Sequence, residues 1–532
     1  MTRTARIGLA ALPLAFLTTF FIWPLASVIV TGFSGDGGAA AGRVLGDGSI
    51  RAIAWFTVWQ AVASTLLTLV AALPAAFVFA RYDFPGKALL RAATTVPFVL
   101  PTVVVGTAFL ALIGPRGMLG VDLSGTVWAI LAAHVFFNMA VVIRLVGGLW
   151  AHLDPRLEEA ARTLGASRWR TFTSVTLPLL RPPLAAAASI VFLFSFTSFG
   201  TVLILGAPRL ATIEVEIYRR AALFLDLPAA AVLAVVQLVG VVAALTIYGR
   251  YQERHSVEQS LRPARETTRR ATTRGDRWLL GGALGWTALA LAAPPLVLLW
   301  RSLTLGGGVG LGAYRSLATV TTVNPGAAVV NSLAFAAAAT LIAAGIALPA
   351  AVLVAARRGR ISRWFDTLLM LPLGTSAVTL GLGFVIAFDG PVDLRSSWII
   401  VPIAHALVAT PFVFRSTLPV LRSVQGRLRE AAAVLGASPR RTWREVDAPI
   451  AARAAAVGAA LAFVVSLGEF GATLFLARAG DPTIPVAIFR LLGRPGLVNL
   501  GGALALSVIL MAVTTVVVLA VERARPPGPA VF

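Results

Sequence analysis

Apolar positions along the chain gather into twelve runs, near 7–31, 55–80, 91–114, 126–149, 183–206, 228–248, 278–300, 328–356, 366–388, 398–414, 455–477 and 500–521. A hydrocarbon core about 30 Å thick needs about 20 mostly apolar helical residues, so each run predicts a membrane-spanning helix. The tenth is short at its apolar core, where Pro402 and Pro411 interrupt it. The first follows Arg3 and Arg6. It is about twice as long as the apolar region of a signal peptide and no small-x-small cleavage site follows, so it reads as a retained span.

The polar stretches between the runs set the orientation. Arg81, Lys87 and Arg91 follow the second run; Arg156, Arg162, Arg168, Arg170 and Arg181 follow the fourth; Arg357, Arg358, Arg360 and Arg363 follow the eighth. Arg and Lys accumulate on the cytoplasmic side, which places the even-numbered loops and both termini there. The loop after the fifth run carries Arg209, Arg219 and Arg220, but also Glu214, Glu216 and Asp226, and is placed outside. Residues 250–277 have no apolar period and are dense in Arg, Thr and Glu. They read as a cytosolic linker between a first half, 1–249, and a second half, 278–532, of six spans each.

Composition narrows the classes. The chain is 58% hydrophobic and 13% charged, with a mean hydropathy of +0.85, which excludes a soluble globular enzyme and a disordered regulator. The formal charge of +22 would point to nucleic acid if it clustered on a soluble domain; scattered between apolar runs, it reports topology, and the implied surrounding is the lipid bilayer. Zero Cys excludes disulfides, zinc ribbons, iron–sulfur clusters and thiol catalysis. Four His and few intramembrane acids offer no metal cage and no catalytic set, so no catalytic or metal residue is assigned.

The two halves repeat each other. Ala133-His134 matches Ala404-His405, Arg144 matches Arg415, Phe199-Gly200 matches Phe470-Gly471, and Thr212-Ile213 matches Thr483-Ile484, all at an offset of 271 (405 − 134 = 271). Earlier spans align at 275, as Pro97 with Pro372 and Gly106 with Gly381. Six spans per copy is an even number, so both copies share one orientation, related by an axis along the membrane normal. Two equivalent halves then face each other across a central path, a geometry suited to translocation.

The loop after each fourth span is the most informative segment. The first reads Glu159-Ala160-Ala161, three residues, Gly165, nine residues, then Val175-Thr176-Leu177-Pro178; the second reads Glu430-Ala431-Ala432, three residues, Gly436, nine residues, then Val446-Asp447-Ala448-Pro449. Asp154-Pro155 is a good N-cap followed by Pro at the first helical position, with Glu158 and Glu159 near the positive end of the helix. Gly165 and Gly436 stand where such a helix must turn. Each loop is therefore expected to be two short helices joined by a tight bend, able to dock in a groove on a partner. A nucleotide-binding loop needs Gly-x4-Gly-Lys-Ser/Thr, and Lys87 sits in Phe84-Pro85-Gly86-Lys87-Ala88 with Arg81 where the first Gly should be. The chain lacks that machinery.

The duplicated segment resembles the EAA loop of ATP-binding-cassette importer permeases, E-A-A-x3-G-x9-I-x-L-P, from which Val175, Val446 and Ala448 depart only conservatively. That resemblance implies an all-α integral membrane protein of about 12 transmembrane helices in two parallel six-helix repeats, the type I importer permease fold. It implies multi-pass insertion in a prokaryotic plasma (inner) membrane and no cofactor of the chain's own. ATP and Mg would be held by two copies of a cytosolic ABC ATPase docking on the loops, and an extracytoplasmic substrate-binding protein would deliver cargo.

Two fused halves are similar to the ferric-iron and thiamine branch of these importers, with the resemblance carried by Ala133-His134-Val135-Phe136-Phe137-Asn138, Ser198-Phe199-Gly200-Thr201-Val202-Leu203 with Thr212-Ile213-Glu214-Val215-Glu216-Ile217-Tyr218, and Ser466-Leu467-Gly468-Glu469-Phe470-Gly471. Residues 467–473 also resemble molybdate and sulfate permeases, which are normally unfused. Ferric iron is the expected cargo and thiamine the alternative. Polar groups inside spans are functional candidates by default, which nominates His134, Asn138, Ser198, His405, Ser466 and Glu469 for the pathway. For Glu469 two readings stand side by side, a partner for a cation and a carboxyl hydrogen-bonded between packed helices. Glu214 and Glu216 are expected on the outer side, against the binding protein. An ion-coupled secondary transporter is the rival from another class, and it would need a carboxylate or His relay in which Glu469 is nearly alone.

Overall fold

A computed structural model describes residues 3–255, 262–356, 359–390, 393–395, 397–424, 426–478 and 480–524; Arg357, Arg358 and linker positions 256–261 lie outside the described residues. Ten described helices are long and apolar enough to cross a membrane: Ile7–Phe33, Gly48–Arg81, Val127–Trp150, Arg168–Phe196 and Leu227–Arg254, then Arg274–Thr304, Pro325–Ala355, Ile400–Ser423, Pro439–Leu467 and Leu497–Arg523. The third and ninth expected spans are bent pairs, Lys87–Val99 with Thr102–Ile113 at 99° and Ser362–Gly374 with Ala377–Ala387 at 96°; counting each pair once gives twelve. The breaks are repeat equivalents made by different chemistry. Pro101 holds Leu100 extended (ψ 134°) in the first half. In the second, Ser376 Oγ accepts from the backbone N–H groups of Val378 and Thr379 and starts a fresh helix.

The tenth span differs from the expectation. Ile400–Ser423 runs unbroken through Pro402 and Pro411. Pro402 lies in the first turn, where no intrahelical donor is needed, and Pro411 is enclosed in the interior of a helix that, with Val127–Trp150, is the most buried of the ten. Elsewhere Pro leaves a different trace. Single π turns at Thr18–Ile22, Phe172–Thr176 and Trp443–Asp447 each end one residue before the pair Trp23-Pro24, Leu177-Pro178 or Ala448-Pro449. The Pro cannot donate to the carbonyl four residues back, and the ladder skips to an i→i+5 bond, as from the Leu177 N–H to the Phe172 carbonyl.

The two sequence halves interlock. Phe16, Leu17 and Phe21 of the first span are buried in a core made by the second half, with Phe335, Phe384 and Phe388, and Trp23 meets Phe388 edge-on at 5.4 Å between ring centres. Reciprocally, Arg274–Thr304 packs on Gly48–Arg81 and Thr102–Ile113 of the first half, where Trp286 Nε1 donates to the Ala71 carbonyl at 2.9 Å. The fifth and eleventh spans are longer than their apolar runs on the coupling-loop side. Each stops at an elbow, after Phe196 and after Leu467, before the short helices Gly200–Leu205 and Gly471–Leu476. The chain then folds back to start Ile213–Tyr218 and Ile484–Leu492.

Candidate coupling loops and translocation centre

The first repeated loop folds as its capping residues dictate. Asp154 accepts from the Arg156 N–H at 3.0 Å and starts the helix Pro155–Thr163. Gly165, at φ +87°, turns the chain, with the Ala166 N–H returning to the Ala161 carbonyl at 3.0 Å. Ser167 then caps Arg168–Thr171, which continues through the π turn and Pro178 into the fifth span. Glu158 is held by Arg81 at 2.7 Å and by the Thr176 hydroxyl at 2.9 Å. Ala160 and Glu159 face outward and Ala161 is half-buried. Leu164 projects at the bend, 88% exposed.

The second loop has the same shape with its charges exchanged. Gly426–Val434 turns at Gly436 (φ +77°), and the Ala437 N–H returns to the Ala432 carbonyl at 2.9 Å. Glu430 and Ala431 face outward, and Leu435 projects at 85% exposure. Pro449 follows the π turn at the start of Ala448–Leu467 as Pro178 does at the start of Leu177–Phe196. Here the helix carries the base: Arg429 binds Asp447, the equivalent of Thr176, at 2.8 Å. Arg81 has no counterpart, because position 356 is Ala.

The linker docks on the first loop. Arg262 Nε donates to Asp154 at 2.6 Å, its backbone exchanges bonds with His152, and Thr267 Oγ1 donates to the Ala151 carbonyl. Arg269–Arg270 pairs in parallel with Tyr82–Asp83, and the Tyr82 hydroxyl donates to Asp276 at 2.6 Å. Asp154 is held below the usual carboxylate range, chiefly by the Arg156 N–H. Composition marked this stretch as polar but gave no sign that it packs.

Inside the bundle, the nominated polar residues form two clusters, one at each elbow. His134 lies between the hydroxyls of Ser64 (2.9 Å) and Ser198 (2.8 Å), and Asn138 Nδ2 reaches Ser195 at 3.4 Å. Ser64 becomes Ala339 in the second half, and His405 lies instead between Ser466 (2.8 Å) and Thr473 (2.7 Å), with Glu469 at 3.2 Å. Glu469 is buried with both oxygens engaged: Oε1 accepts the Ala472 N–H at 2.8 Å, and Oε2 accepts the Thr473 N–H at 2.9 Å and the Thr473 hydroxyl. The carboxylate caps Gly471–Leu476.

Residues that sequence reasoning passed over complete the elbows. Gln60 and Gln237 donate to the Ser195 and Phe196 carbonyls at the end of the fifth span, where regular intrahelical pairing stops. Thr57 and its equivalent Ser332 accept from the N–H groups of Ile213 and Ile484. Glu214 and Glu216 differ from the expectation of an outer contact. Both are buried, Glu214 accepting from Ser376 Oγ at 2.6 Å and Glu216 from Arg220 Nε at 2.8 Å, because the chain folds back into the bundle there. Phe199 and Phe470, noted in the sequence as repeat equivalents and within the segments that carry the family resemblance, stack on each other at 5.5 Å where the halves meet.

The model of the family described as "Binding-protein-dependent transport system inner membrane component" matches residues 69–256 and 347–526. The chain belongs to this family. It is a fused type I importer permease, a multi-pass inner-membrane protein and the transport subunit of an ABC system with further subunits. It is 29% identical over 526 residues to "Thiamine transport system permease protein ThiP" of Brucella abortus (strain 2308), covering 94% of each chain. The protein of that name from Salmonella typhimurium is 28% identical over 82% of this permease and 83% of its own length. "Sulfate transport system permease protein CysT" of Escherichia coli (strain K12) is 32% identical over 36% of this permease and 71% of its own length.

Proposed function

We propose that this permease carries thiamine, or a closely related flat heteroaromatic cation, inward on behalf of an external binding protein. The observation that carries the reading is the match to proteins named as thiamine permeases across 94% of both chains, fused halves included. This reverses the order expected from sequence, in which ferric iron came first. The sulfate permease matches over only 197 residues, less than one of the two repeat copies, and ranks below thiamine for that reason.

In this reading the two bends, with Glu159, Ala160, Ala161, Gly165, Glu430, Ala431, Ala432 and Gly436, each dock on one of two cytosolic ATPases. Leu164 and Leu435 are the exposed apolar knobs that enter the partners. Pro178 and Pro449 join each hairpin to a pathway helix without a flexible joint, so closure of the ATPases tilts the fifth and eleventh spans as rigid levers. Both termini and the linker share the cytoplasmic side with the loops, and the linker ties the first loop to the boundary between 1–249 and 278–532. His134, Asn138, Ser198, His405, Ser466 and Glu469 position the elbows on those levers.

The test is uptake by proteoliposomes holding the permease with its ATPase and binding protein, supplied with labelled thiamine, ferric iron or sulfate in parallel. ATP-dependent accumulation of thiamine alone is expected. Accumulation of iron or sulfate without thiamine overturns the proposal.

A further inference from the structure

The stack of Phe199 on Phe470 lies on the axis that relates the halves, since the two positions are repeat equivalents (470 − 199 = 271). The rings are 5.5 Å apart at 25° and both are buried. Each is buttressed by a second equivalent pair, Tyr218 edge-on to Phe199 at 5.7 Å and Phe489 edge-on to Phe470 at 5.5 Å. Four aromatic rings from two halves thus meet in one place, and the Tyr218 hydroxyl is the one polar group they carry, with the Arg490 charge within its reach. The backbone is shaped for this meeting. A Cβ on Gly200 would collide with Thr102 Oγ1 and approach Phe470 Cδ1 to 3.1 Å, and one on Gly471 would come within 3.1 Å of the Ala377 Cβ. Each Phe-Gly pair therefore seats the start of a broken span against its glycine and sends its ring across the axis.

A second observation indicates charge. Glu214 stands one turn before Tyr218 on Ile213–Tyr218, fully buried between Ser376 of the other half, whose hydroxyl donates to Oε2, and the Gln237 side chain. A carboxyl group buried this deeply rests as the neutral acid and gives up its proton readily only beside a cation, which makes it a counter-charge that a passing cation calls out.

We infer that Phe199, Tyr218, Phe470 and Phe489 are both the closed gate of the pathway and, when the halves part, the subsite through which a flat aromatic cation crosses, with Glu214 as its counter-charge. Rings that stack on each other in the closed state offer the same faces to the ligand in the open one, and a cationic heterocycle gains both stacking and cation–π attraction from them. The ligand class rests on the thiamine reading; the gate does not.

The experiment uses the full complex in proteoliposomes with two readouts, ATP-independent leak of a trapped small fluorescent anion and ATP-dependent uptake of labelled thiamine. Phe470→Leu keeps bulk but removes the ring face: leak should stay at the wild-type level while thiamine uptake falls at least fivefold, and Phe470→Tyr should restore it. The pair Phe199→Ala and Phe470→Ala should leak. Glu214→Gln should lower uptake of thiamine without leak. Co-purification with the ATPase and retained ATP hydrolysis certify that each variant is folded. A tight alanine pair overturns the gate, and full uptake by Phe470→Leu overturns the subsite. If wild type accumulates no thiamine, the ligand class falls with the functional reading, and the leak arm still decides the gate.

Discussion

Replacing Gly165 and Gly436 by alanine tests the coupling loops without adding bulk. Both glycines have left-handed φ, +87° and +77°, and a Cβ on either would meet nothing within 4 Å. The cost is therefore conformational alone, about 1–2 kcal/mol for an L-residue held in that region. A nine-residue helix such as Pro155–Thr163 is too short to sustain itself, so strain in its terminating turn is taken from the population able to dock. At about 1.4 kcal/mol per factor of ten, affinity for the ATPase should fall roughly 5- to 30-fold for each substitution. The assay is titration of the purified ATPase onto the permease in nanodiscs, with ATP-dependent uptake measured alongside. Gly148→Ala is the control, since Gly148 lies inside the helix Val127–Trp150 with open space around it. Wild-type affinity and uptake in both loop variants would refute the docking assignment.

Three further outcomes are expected. Glu469→Gln replaces an acceptor by a donor opposite a backbone N–H and should destabilise by about 1–3 kcal/mol; an unchanged melting temperature in detergent would contradict the capping role. Gly200→Ala should cost about 1–3 kcal/mol by overpacking against Thr102, and Thr102→Ala, which copies Ala377 of the other half, should recover part of it; strict additivity in the double-mutant cycle would rule out that contact. Asp154 is held below its ordinary value by the Arg156 N–H first and Arg262 after it, so its contribution is complete above an unfolded value near 3.8 and is lost as pH falls through the lower folded value. A spin label on Thr268→Cys, placed in a chain with no other Cys, should keep constant mobility from neutral pH down to about 5 and loosen only in stronger acid. Loosening already above pH 6 would argue against an Asp154 latch.

The sequence by itself determined everything that depends on local composition and spacing. Apolar runs of spanning length gave the membrane helices, because burial in lipid needs no information beyond length and hydropathy. The 271-residue offset gave the repeat, and Asp154-Pro155, Gly165 and Gly436 gave the hairpins, because caps and left-handed turns are local chemistry. Four features needed the tertiary structure. Pro101 breaks its helix and Pro411 does not, since the outcome depends on what surrounds the freed carbonyl rather than on Pro itself. Glu469 is a cap, which became visible only once Thr473 and His405 were placed beside it. The polar linker is docked, since Asp154 and His152 present partners that no composition shift reveals. Phe199 and Phe470, 271 residues apart, became a gate only when folding brought two identical dipeptides to one axis, a relation between distant segments that no local pattern encodes.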